Sequence, residues 1–233
     1  MSAATPVAPS PHHVDLMRFY LDRGLAPGQF WFGREHPALE EAALRLLATR
    51  SRVRVLEIGY QAGGFAVPVI TSLHRTPGFH YTGLDSLAYP NAVTSELLTE
   101  YLTLQGVAPD RFRLLKVDAW DFLMTCPETF DLILIDHVKS LYPRELETVL
   151  SRRRVAAGGL VLLHDVLEKA TEAWVECARI CATFGCRWHV DGEVPAGLAI
   201  VEAGEATRSF PTTMVGLKLG LRFAARRLAR AGR

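Results

Sequence analysis

The sequence offers no apolar run long enough to span a bilayer, which argues against a membrane-spanning helix. Its first thirteen residues, MSAATPVAPSPHH, lack the basic and apolar blocks of a signal peptide, and they read as a flexible tail. Cysteine is scarce. The four present are Cys126, Cys177, Cys181 and Cys186, and no two form a C-x-x-C pair, which leaves no paired-thiol motif. They read as reduced core cysteines of a cytoplasmic protein, with Cys177 and Cys181 one helical turn apart on a buried face. Net charge is only +1, which makes no case for a nucleic-acid partner, and an N/D-P-P-Y/W motif is absent as well. Internal repeats are absent, which excludes a solenoid.

What the chain does have is apolar content. Hydrophobic residues make up 49% of its 233 residues, enough for the core of one α/β domain with additions at both ends. The organising stretch is Val55 to Ala66, VLEIGYQAGGFA. An apolar strand runs straight into a glycine-bearing turn, and FAVPVITSL can then begin a helix. Strand, glycine turn and helix start together make a nucleotide-binding crossover. A dinucleotide dehydrogenase would want G-x-G-x-x-G there, and Gln61 breaks that pattern. Glu57, Gly59 and Gly63 instead give E-x-G-x-x-x-G.

From Val53 onward strands and helices alternate. Strands are expected near 53–59, 80–85, 112–117, 131–136, 159–165, 186–191 and 197–202, and helices near 64–74, 91–106, 142–154 and 168–184. This argues for a mainly parallel sheet with helices on both faces. Only DGEVPA joins the last two strands, so they should form a hairpin, with the final strand antiparallel to the rest. Three segments follow: 1–50, a tail with packing or lid helices; 51–204, the α/β domain; and 205–233. Within the first, HHVDLMRFYLDR and HPALEEAALRLLATR read as helices, and the aromatics of FWFGRE between them should pack on the core or close over a ligand. In the last, Lys218, Arg222, Arg226 and Arg230 share one face of a basic amphipathic helix. Docking on its own domain or on a second subunit is favoured for it over an acidic membrane surface.

Chemistry-bearing side chains fall at strand ends. Asp85 closes the second strand, where a carboxylate can accept from both hydroxyls of a ribose. Asp118 and Trp120 follow the third; Asp118 can accept from an adenine amino group or cap the short helix DAWDFLMT, and Trp120 can wall a pocket. Asp136, His137, Lys139 and Tyr142 follow the fourth, and His164 and Asp165 end the fifth. His12 and His13 fall in the tail, His36 precedes Pro37 at a helix start, His189 reads as structural, and Arg152, Arg153 and Arg154 read as solvated.

The E-x-G-x-x-x-G spacing resembles motif I of the class I S-adenosylmethionine (SAM)-dependent methyltransferases. D-H-x-K-x-x-Y after the fourth strand and GGLVLLHDV at the fifth are similar to catechol O-methyltransferase and its relatives. The resemblance covers residues 53–202 and implies a Rossmann-like seven-stranded mixed sheet of order 3-2-1-4-5-7-6. It implies SAM as cofactor, held by Glu57, Gly59, Tyr60, Gly63, Asp85, Asp118, Ala119, Trp120, Asp136 and His137. It implies a divalent cation, Mg²⁺ or Mn²⁺, on Asp136 and Asp165, and Lys139 as the base for an acceptor hydroxyl. Val166 departs from the pattern, since an Asn ligand belongs there. His164 could serve in its stead, which favours Mn²⁺ over Mg²⁺, or His164 or His137 could act as base without a metal. A small-molecule phenol, sugar or other natural-product hydroxyl is the implied acceptor, as in secondary metabolism. A metal-free methyltransferase, or a SAM-fold scaffold without catalysis, are the alternatives, and a homodimer is compatible with the appended helices.

Overall fold

The computed structural model of the protein describes residues 11–25, 35–88, 93–194 and 196–204. The aromatic segment of FWFGRE and the basic segment 205–233 lie outside the described residues, as does the start of the chain before Pro11.

Seven strands form one sheet: β1 (Val53–Ile58), β2 (Phe79–Asp85), β3 (Phe112–Lys116), β4 (Phe130–Ile135), β5 (Val155–His164), β6 (Arg187–Asp191) and β7 (Leu198–Glu202). Their order is β3-β2-β1-β4-β5-β7-β6. β1 pairs in parallel with β2 and β4, and β5 in parallel with β4. β7 runs antiparallel to both β5 and β6, as the short link predicts. The helices are α1 (Pro11–Leu21), α2 (Glu35–Leu47), α3 (Ala66–Leu73), α4 (Ser95–Leu104), α5 (Ala119–Thr125), α6 (Tyr142–Ser151) and α7 (Thr171–Phe184). Among the described residues no helix is long and apolar enough to cross a membrane.

Strand periodicity sorts the core into two layers. Val53, Val55, Leu132 and Leu134 point to the side covered by α1, α2, α3 and α4. Leu56, Ile58, Ile133 and Ile135 point to the side covered by α6 and α7. A central strand buried on both faces is mostly apolar; β4 is buried along its whole length, and its one charged residue, Asp131, accepts from Arg50 Nη1 at 2.5 Å and Arg54 N at 2.9 Å. Each such side chain contributes about 1.5–3 kcal/mol by burial. α7 buries Trp174, Cys177, Ile180, Cys181 and Phe184, an i, i+3, i+4 stripe, and ends at Gly185 in the left-handed region. The thiols of Cys177 and Cys181 are free and buried, as their spacing predicts.

Two readings of the sequence need correction. His13 is buried in α1 rather than lying in a tail. Its helix carries Leu16, Phe19 and Tyr20 on the same inward face, which anchors it. Arg154 is not simply solvated: it is half-buried, and its Nε donates to Leu123 O at 2.9 Å.

The parallel sheet brings β1 and β4 together most tightly at their C-terminal ends. Gly59 has φ +97°, and a Cβ there would lie 2.4 Å from Asp136 O and 2.7 Å from His137 Cβ. Gly106 has a similar φ of +77° with open space around it. Gly59→Ala and Gly106→Ala therefore share the backbone penalty of about 1–2 kcal/mol, and only the first adds a backbone clash. Urea denaturation should show Gly59→Ala losing clearly more stability than Gly106→Ala. Equal losses would mean the two strand ends can part freely.

Candidate active site

The strand-end residues singled out in the sequence stand along one edge, the C-terminal edge of the parallel strands, although the side chains of Glu57, Tyr60 and His137 turn inward. Open α/β sheets bind ligands at that edge. β1 hands over to its turn at Gly59, whose N–H donates to Leu84 O at 2.8 Å, while Asp136 N donates to Ile58 O at 2.9 Å. The turn thus lies between β2 and β4. Gly63 (φ +83°) sits against Leu98 and Val67 with no room for a side chain. Tyr60 turns its ring inward, 1% exposed, against Gly83. It leaves only its backbone at the edge.

Asp85 ends β2 and is half-buried. Its Oδ2 accepts from Gln61 N at 2.8 Å and its Oδ1 from Leu87 N at 2.7 Å. These bonds lock the aspartate to the glycine turn and leave each oxygen a further lone pair. Asp118 caps α5 through Oδ1, which accepts from Trp120 N at 2.8 Å and Asp121 N at 3.2 Å. Capping and ligand acceptance are compatible, since Asp118 is exposed. Ala119 opens the helix. Trp120 is half-buried, and the Arg144 guanidinium lies 4.5 Å from its ring centroid.

Glu57 is fully buried. Its Oε2 accepts from Tyr81 OH at 2.6 Å, and its Oε1 has no hydrogen-bond partner among the described residues. Burial raises its pKa from 4.5 to about 8, Tyr81 opposes this, and Asp136 and Asp85 add to it. The group is a neutral acid at the root of the edge.

The densest cluster is at β4 and β5. Asp136, His164 and Asp165 bring one ligand atom each within 4.8 Å of one another. His164 Nδ1 lies 3.3 Å from Asp136 Oδ1 and 3.6 Å from Asp165 Oδ1. The Phe65 ring meets the His164 ring edgewise at 5.5 Å. Lys139 Nζ bridges the carboxylates, 2.6 Å from Asp136 Oδ1 and 2.9 Å from Asp165 Oδ2, and donates to Tyr142 OH at 2.8 Å. Burial works against the charge on Asp136, but the hydrogen bond and charge of His164, with Lys139, hold its carboxyl well below the usual range. Burial, then Asp136 and Asp165, pushes the Tyr142 phenol up, so it stays a neutral hydroxyl. Asp165 itself has φ +61°, a left-handed conformation that a non-glycine residue adopts at a cost. Val166 is fully buried in the core and offers no ligand. Two carboxylates and an imidazole are a donor set that fits a divalent cation with some affinity for nitrogen.

His137 turns away from this cluster. Its Nε2 lies 2.5 Å from Oε2 of Glu145, a fully buried carboxyl. Sequence reasoning missed that partner, and also Tyr81, Arg144 and Lys169, whose Nζ is 3.6 Å from Asp165 Oδ2. Of these only Lys169 carried a signal, lying four residues beyond Asp165. His189 is exposed on β6, far along the sheet order from these strands.

No family model matches the chain, and no curated protein matches it in sequence. Solved structures do match. The O-methyltransferase from Bacillus cereus in complex with SAH superposes with a TM-score of 0.59 at 15% identity, over 84% of this chain and 92% of that one. The O-methyltransferase TomG from Streptomyces achromogenes, involved in tomaymycin synthesis and solved with SAM, gives 0.56 at 16%, over 85% and 92%. A cofactor-bound protein from MTB gives 0.59 at 20%, over 86% and 93%. The chain has the fold that these three proteins, two of them O-methyltransferases, share.

The neutral state of Glu57 has a measurable sign. In the unfolded chain this acid ionises near 4.5, whereas in the folded chain it keeps its proton to about 8. The folded state binds more protons between those values, so stability falls as pH rises through that window. Glu57→Gln keeps an acceptor for Tyr81 and cannot ionise. Thermal melts of the two proteins from pH 4.5 to 8 should show wild type losing stability relative to the variant. Parallel profiles would mean that Glu57 is already ionised.

Proposed function

We propose that the chain is a SAM-dependent methyltransferase that methylates a hydroxyl of a small molecule, such as a phenol or a natural-product or sugar hydroxyl. The supporting observation is the alignment of Asp85, Asp118, Asp136 and Asp165 along one sheet edge beside the glycine turn. In this reading residues 51–204 are the catalytic domain, with 1–50 and 205–233 as additions. Asp85 takes the ribose hydroxyls and Asp118, with Ala119 and Trp120, the adenine. The turn from Gly59 to Gly63, with the backbone of Tyr60, lies against the methionine part, above Glu57, and His137 borders the cofactor.

The reaction needs an oxygen nucleophile and a methyl group in line with it. Lys139, paired as an ammonium, first gives a proton to solvent; as the amine its Nζ then takes the acceptor's hydroxyl proton. The oxygen's electron pair forms the new bond to the methyl carbon, and the C–S pair returns to sulfur, leaving S-adenosylhomocysteine. The ammonium so formed has its partners in place, Asp136 Oδ1 at 2.6 Å and Asp165 Oδ2 at 2.9 Å. Asp136, Asp165 and His164 would hold a divalent cation, which when bound lowers the pKa of an acceptor oxygen and fixes its position. The nitrogen donor favours Mn²⁺ over Mg²⁺. A second reading has support in the His164–Asp136 contact at 3.3 Å: a metal-free enzyme with His164 as base. The alternative of a scaffold without catalysis predicts SAM binding with no turnover.

Methyl transfer to a panel of phenolic and sugar-bearing acceptors, with Mg²⁺, Mn²⁺ or EDTA, separates these readings. Turnover lost in EDTA and restored best by Mn²⁺ is the expected result; turnover indifferent to EDTA removes the cation. Lys139→Met should lower turnover by about 10²–10⁴-fold while calorimetry finds SAM affinity little changed. Asp85→Asn should weaken SAM binding about tenfold or more. A wild-type chain that binds neither SAM nor S-adenosylhomocysteine would overturn the proposal.

A further inference from the structure

A turn can offer its amides to a ligand only if its carbonyls find partners elsewhere. In the glycine turn after β1 every carbonyl from Tyr60 to Gly64 can be followed. Tyr60 O accepts from Gly63 N at 2.7 Å, Gln61 O from Val93 N at 3.4 Å, and Gly63 O from Val67 N at 3.0 Å. The remaining two are taken by the N-terminal helix. Ala62 O accepts from Tyr20 OH at 2.8 Å, across 42 residues of sequence. Gly64 O lies 2.8 Å from His13 Nε2, across 51 residues. A carbonyl only accepts, so that nitrogen carries the proton.

Both donors are held firmly. His13 is 1% exposed and Tyr20 fully buried. The His13 ring meets His36 of α2 edgewise at 4.9 Å. Burial, then the neighbouring Tyr101, pushes the Tyr20 phenol up, so its O–H remains a donor. A peptide unit is planar and trans, so fixing a carbonyl also fixes the next N–H in the opposite direction. Tyr20 thereby fixes Gly63 N–H, which closes the turn on Tyr60 O. His13 fixes Phe65 N–H at the N-cap of α3, where helix amides and dipole favour an anionic group such as a carboxylate.

We propose that α1 is a working part of the cofactor site, with His13 and Tyr20 as positioning residues that decide which face of the glycine turn a ligand meets. This rests on the reading of that turn as the SAM site. Losing either donor leaves a buried carbonyl unpaired, and the peptide can relieve this by rotating, most easily at Gly63 and Gly64. Rotation of the Gly64–Phe65 peptide turns the Phe65 amide away from the ligand, and rotation of the Ala62–Gly63 peptide breaks the Gly63 N–Tyr60 O bond that closes the turn.

Calorimetric titration with S-adenosylhomocysteine tests the inference on the full chain. Tyr20→Phe and His13→Phe should each weaken binding about tenfold. His13→Gln, which can place an amide N–H where Nε2 stands, should restore most of the loss. Thermal melts of the ligand-free proteins accompany the titrations, because a purely structural role would lower Tm and leave Kd alone. Hydrogen exchange at Phe65 N–H in the ligand-free chain should quicken in His13→Phe and not in His13→Gln. Kd values equal to wild type in all three variants overturn the inference, whatever their Tm. A wild-type chain that does not bind the ligand overturns the reading of the site and this inference with it.

Discussion

The approach of β1 to β4 at Gly59 is the constraint on which the rest of the edge depends. A side chain there would meet the Asp136 carbonyl at 2.4 Å. Because none is present, Asp136 N can bond to Ile58 O and Gly59 N to Leu84 O, and three strands end at one level. Three carboxylates, Glu57, Asp85 and Asp136, are thereby brought close. Their mutual repulsion is visible in Glu57, whose proton is retained partly because the other two stand near it. Packing at one glycine therefore sets the electrostatics of the edge.

Burying charge at strand ends is costly unless every charge is paired. The β4–β5 cluster meets this condition with its own cation. Lys139 satisfies Asp136, Asp165 and Tyr142 at once, and His164 supplies a second donor. The cost that remains is conformational and falls on Asp165, at φ +61°. The positive φ falls where β5 gives way to its loop, and Ala170 N and Glu168 N close on the Asp165 carbonyl. A strained residue that carries a buried carboxylate into a paired cluster is a pattern of functional sites rather than of cores.

The strands and the main carboxylates were legible because they obey local rules, whereas the strand order came from the family resemblance. A strand buried on both faces is mostly apolar, and Asp136 and Asp85 stand where the apolar runs LILI and YTGL give way to loops. The short DGEVPA link allowed only a hairpin, and hence β7 antiparallel to β5. What stayed illegible depends on contacts across long stretches of sequence. His13 looked like part of a tail because its partner, Gly64 O, is a backbone atom with no signature of its own. Glu145 carried no signal of its own, although it sits fully buried against His137. Tyr60 looked available to a ligand because it stands in the turn, yet Gly83 on the adjacent strand makes room for its ring inside. In each case one residue's role was set by the space or atom offered by another, which local pattern does not encode.

The charge of the whole chain says little, and its distribution says more. A net charge of +1 conceals an edge where Asp85, Asp118, Asp136 and Asp165 converge. Against them stand Lys139, the half-exposed Lys169, Arg144 over Trp120, and Lys116 opposite Asp85 in the β2–β3 register. Lys139 is shared between two carboxylates, so negative charge is concentrated at the ends of β4 and β5. Such a field favours a ligand that carries positive charge and hydrogen-bond donors, and penalises one that brings phosphates. That distinction separates this glycine turn from the dinucleotide-binding turn it superficially resembles. A pyrophosphate would meet carboxylates on both sides. A sulfonium with an adjacent ammonium group would meet complementary charge, while its single carboxylate could lie on the turn amides that α1 holds in place. Asp136 and Asp85, which add to the burial that keeps Glu57 neutral, thus argue for a cationic cofactor at this edge.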